Sequence, residues 1–95
     1  MNFKELEPSK VFEYFFEINQ IPRESGQEKA VSDYIAAFAK DLGLPCTQDK
    51  YNNLIITKPG TPGHKSKKPV MLQAHLDMVC EKNNGTEHDF SKALL

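Results

Sequence analysis

The run Pro69-Val70-Met71-Leu72-Gln73-Ala74-His75-Leu76-Asp77-Met78-Val79 restricts the fold of this chain more than any other stretch. An apolar climb through Val70, Met71 and Leu72 that ends in a histidine and a carboxylate two positions apart predicts a buried strand delivering polar groups to its end. Residues two apart on an extended strand project to the same side. His75 and Asp77 are therefore expected to face one space while Leu76 packs the other way. The carboxyl ends of strands are also where open α/β sheets gather their sites.

Two helices are expected upstream. Pro8 suits a first helical position, where its missing N–H has no partner to lose, and Val11, Phe12, Phe15 and Phe16 then fall on one face, so helix one is placed at residues 8–19. Four large apolar groups on one face read as a packing stripe, not a ligand box. Pro22 and Gly26 break the pattern. Ser25, with Glu28 three residues on, has the form of a capping box. Ala30, Val31, Tyr34, Ile35, Phe38, Ala39 and Leu42 then keep a period of about 3.6 residues until Gly43 stops the second helix. Arg23, bracketed by Glu24 and Glu28, reads as a solvated surface pair.

Leu44–Asp49 and Leu54–Thr57 flank Tyr51-Asn52-Asn53, and asparagines tolerate the positive φ of tight turns, so these runs predict a hairpin whose first strand is a weak edge. Pro59 to Pro69 is a polar loop with Lys65, Lys67 and Lys68, in which His64 is a loop histidine. Past Val79 the chain turns polar. The fold class expected is α/β: two N-terminal helices, then a mixed sheet whose covering helices are missing, so the domain looks unfinished.

With 95 residues there is room for one small domain at most, and a net charge of −1 gives no basic excess to recruit phosphates. No nucleic-acid partner is expected. Charged residues Lys4, Glu5, Glu7, Lys10, Glu13 and Glu17 interrupt the aromatic start, so neither a signal peptide nor a membrane span is expected, and the default address is cytoplasmic. Cys46 and Cys80, far apart and outside any C-x-x-C pair, read as inert thiols of a reduced compartment.

His-x-Asp suits a metal. An imidazole binds zinc through one ring nitrogen, and a carboxylate accepting from the other nitrogen fixes the tautomer and raises the ligand's basicity. The bland alternative is a small non-catalytic α/β binding or interaction module in which His75 and Asp77 are a structural pair. Residues alone leave both open.

The run Val70-Met71-Leu72-Gln73-Ala74-His75-Leu76-Asp77-Met78-Val79-Cys80-Glu81-Lys82-Asn83 resembles the first metal-binding motif of the aminoacyl-histidine dipeptidase family, also called cytosolic nonspecific dipeptidases. The block Ile21-Pro22-Arg23-Glu24-Ser25-Gly26-Gln27-Glu28-Lys29-Ala30-Val31-Ser32-Asp33-Tyr34 resembles the same proteins. The resemblance implies a di-zinc exopeptidase, with residues 1–95 as the amino-terminal part of its catalytic domain. It makes His75 a zinc ligand and Asp77 the orienting aspartate classed as catalytic. It further implies two zinc ions, with cobalt or manganese as substitutes, dipeptide substrates including aminoacyl-histidines such as carnosine, and a homodimer as one state of the complete enzyme. The family's other ligands and base glutamate are expected beyond residue 95, since Glu81, Glu87, His88 and Asp89 lie too near His75 to replace them. The chain alone is then expected to be inactive.

Overall fold

The computed structural model describes residues 5–82, 84, 85 and 89. Helix α1 spans Ser9–Asn19, with Pro8 just outside it in extended backbone at φ −71° and ψ 128°, so the helix starts one residue later than expected. Helix α2 spans Lys29–Asp41. Its end follows from Gly43, whose φ of 72° lies in the region glycine enters without a Cβ penalty. There Gly43 N–H donates to the Lys40 carbonyl and Leu44 N–H to the Ala39 carbonyl, both at 2.9 Å, which satisfies two carbonyls the last turn leaves over.

The start of α2 differs from the expected capping box. Glu28 does reach back, accepting from Gly26 N–H at 2.7 Å, but the Ser25 hydroxyl donates instead to Asp77. A partner 52 residues away has displaced the local one. Burial also differs between the helices. Along α2, Val31 and Ala39 are buried and Tyr34, Ile35 and Phe38 half-buried. On α1 the expected buried face stands largely open, with Val11 59% and Phe15 45% exposed. A stripe is buried only as far as a second surface covers it, and here that cover is partial.

Two compact units make up the chain: one takes in residues up to Val31 and from Asp77 onward, the other is Ser32–Leu76. In the first, Arg23 joins the end of α1 to the returning chain. Its guanidinium donates to Asn19 Oδ1 at 2.9 Å, and its carbonyl accepts from Met78 N–H at 2.8 Å beside a single parallel bridge between Glu24 and Met78. Arg23 is thus half-buried and structural, not a solvated surface residue, because it bonds the buried Asn19.

The second unit holds the expected hairpin. Strands β1 (Cys46–Gln48) and β2 (Leu54–Ile56) pair antiparallel, with Thr47 opposite Ile55. Asn52 takes the positive φ, at 69°, as its side chain permits. The fully buried Ser32 ties helix to hairpin: its hydroxyl donates to the Asn52 carbonyl at 2.9 Å and accepts from Gln48 Nε2 at 2.8 Å.

Asp49 closes the turn by accepting from Tyr51 N–H at 2.8 Å, Asn53 N–H at 2.9 Å and Asn53 Nδ2 at 3.0 Å. The Asn53 side chain, then the Asn53 and Tyr51 backbone, hold its carboxyl below the ordinary 3.8. A depressed carboxyl contributes stability that is present above the unfolded value and lost as pH falls through the folded one. The turn is therefore expected to loosen only in acid below 3.8. Carbon-detected titration of Asp49 should show a midpoint under that value, with the Tyr51 and Asn53 amide signals moving alongside; a midpoint at or above it contradicts the account.

The strand expected over Pro69–Val79 does not form. Val70, Met71 and Leu72 are 87%, 88% and 93% exposed, and the hairpin is the one sheet among the described residues. A central strand needs neighbours on both edges and a layer over each face, and the described residues supply neither. Among the described residues the sheet is accordingly the antiparallel hairpin, and the parallel bridge between Glu24 and Met78 is an isolated one outside it. The lysine-bearing loop before it is exposed throughout, as expected, and His64 N–H closes a turn onto the Thr61 carbonyl at 2.9 Å.

Candidate metal centre

His75 is exposed, near the end of the second unit, and Asp77 is half-buried at the point where the chain returns to the first. Asp77 is held from two directions within that unit. Its Oδ2 accepts from the Ser25 hydroxyl, and the next residue, Met78, is fixed through its N–H to Arg23. Local reading of the sequence gave Ser25 a capping role and so missed this contact. That each residue falls in one of the two blocks resembling the same family was the signal the sequence offered.

As a donor set, an imidazole followed two residues later by an anchored carboxylate fits one zinc ligand and the group that orients it. A complete tetrahedral site takes three or four protein ligands. Among the described residues no group of three or more His, Cys, Asp or Glu comes together as a metal ion would need. His88 and Glu87 lie outside the described residues, while Glu81 and Asp89 are exposed.

Cys80 offers no competing chemistry. Burial first, then the nearby charges of Glu24 and Glu81, push its thiol above the ordinary 9.0, which keeps it protonated and a poor nucleophile. An open depression of about 510 Å³ between α2 and β1 is lined by Ala36, Lys40, Leu44, Pro45, Cys46 and Gln48. With no histidine or carboxylate in its wall, it has no part in the His75 chemistry. No helix among the described residues is long and apolar enough to cross a membrane.

No family model matches the chain. Its fold coincides with part of a peptidase of known structure: aminoacylhistidine dipeptidase from Vibrio alginolyticus superposes with a TM-score of 0.88 at 40% identity, covering 98% of this chain and 19% of that one. In sequence the chain is 44% identical over 88 residues to the cytosol non-specific dipeptidase of Escherichia coli (strain K12), which covers 93% of this chain and 18% of that protein. Over its own length the chain is a homologue of these dipeptidases, hydrolases that act on peptide bonds, and it has the α/β fold of a fragment of them. It spans less than a fifth of the length of the relatives it matches.

Proposed function

We propose that this chain is the amino-terminal part of the catalytic domain of a zinc-dependent dipeptidase that cleaves dipeptides, aminoacyl-histidines among them. The observation that carries the reading is the match of both sequence and fold to dipeptidases across nearly the whole chain, with His75 and Asp77 inside it. His75 offers one ring nitrogen to a zinc ion. Asp77 would accept a hydrogen bond from the other nitrogen and so fix the tautomer and the ring's ligating orientation. Zinc held there would supply a water of lowered pKa and polarisation of the scissile carbonyl, and the general base would be a glutamate elsewhere.

The remaining ligands are assigned outside these residues, and cobalt or manganese can replace zinc. A cytoplasmic address, with a homodimer as one state open to the complete enzyme, belongs to the same proposal. Alone, the 95-residue chain binds zinc weakly and turns nothing over, because it brings one ligand where three or four are needed. The reading of a self-standing interaction module is not favoured by the likeness to dipeptidases.

The test is hydrolysis of a panel of dipeptides, carnosine included, by the intact protein before and after chelation. Cleavage that disappears with chelator and returns with zinc is the expected result. Cleavage indifferent to chelator, or none on any dipeptide, rejects the proposal.

A further inference from the structure

We infer that Ser25 is a positioning residue for the metal site, acting through Asp77; this rests on the dipeptidase reading above. The Ser25 hydroxyl donates to Asp77 Oδ2 across a sequence separation of 52 residues. Its own place is set by a tight turn: Gln27 N–H donates to the Glu24 carbonyl at 2.8 Å, and Gly26 at the third position has a φ of 86°, as a type II turn requires. Glu28 stiffens the same turn by accepting from Gly26 N–H. The backbone beside both residues is tied as well: Glu24, before Ser25, bridges in parallel to Met78, after Asp77, and Met78 N–H donates to the Arg23 carbonyl at 2.8 Å.

The consequence for Asp77 is rotational. An ionised carboxylate accepts through two oxygens joined in one plane, so a donor that fixes Oδ2 also fixes the direction of Oδ1. A carboxylate meant to orient a histidine ligand works only if it is itself held, and the groups that hold it carry part of the metal affinity. A helix cap would not need the hydroxyl turned towards a residue beyond the hairpin. Ser25 is placed for Asp77.

The experiment uses the intact protein and reads zinc affinity by competition with a chromophoric chelator, beside kcat and KM for a dipeptide. Ser25→Ala is expected to weaken zinc binding about tenfold and to lower kcat with KM little changed, whereas Ser25→Thr, which keeps the hydroxyl, stays near the parent. Where the alanine variant does not fold, Ser25→Cys, close in size but a weak donor, makes the same comparison. Zinc affinity and kcat within twofold of the parent, with only the melting midpoint lowered, overturn the inference and make Ser25 a structural tie. A His75→Ala control separates the two levels: if that change leaves zinc binding intact, the dipeptidase reading of the site fails and the inference falls with it.

Discussion

Replacing His75 with alanine in the intact protein is expected to remove dipeptide hydrolysis and to weaken zinc binding by more than about 100-fold, the upper range for loss of an outer-shell partner. The side chain is exposed, so little packing is lost, and the fold should survive the change. That separation makes the result informative. Circular dichroism and melting should match the parent while bound zinc, measured by elemental analysis, falls towards zero. In an interaction module with His75 as a structural partner of Asp77, the same substitution leaves function untouched.

The second large effect concerns the exposed run Val70-Met71-Leu72. Covering one such side chain contributes about 1.5–3 kcal/mol, so a partner surface over all three gains roughly 5 kcal/mol or more. A contiguous apolar stretch of that kind seeks cover. The isolated 95-residue chain is therefore expected to bind hydrophobic dye and to self-associate, and Met71→Lys with Leu72→Lys should abolish most of both. A monomeric, cooperative, metal-independent melt without dye binding would instead mark an autonomous module.

What could be read from the sequence was what local chemistry decides. Gly43 ended α2 because of the left-handed backbone there, and Asn52 marked the hairpin turn for the same kind of reason. The spacing of Ala30 to Leu42 showed a helix because periodicity is a property of neighbouring residues. Burial was less legible: Val11, Phe15 and Leu72 have the character of core residues, but their cover depends on surfaces that no local pattern reveals. The Ser25 hydroxyl was misread for the same reason, since its partner is remote in sequence. His75 and Asp77 were visible as chemistry from the start, and the likeness to dipeptidases gave the homology that their spacing alone left open.

The central claim, that His75 is a zinc ligand oriented by Asp77, is tested most directly by diffraction from crystals of the intact protein at wavelengths on either side of the zinc edge. The account predicts an anomalous peak about 2.0–2.1 Å from one ring nitrogen of His75, with the Asp77 carboxylate accepting from the other nitrogen. Zinc bound elsewhere, with His75 in contact only with protein or solvent, would contradict it.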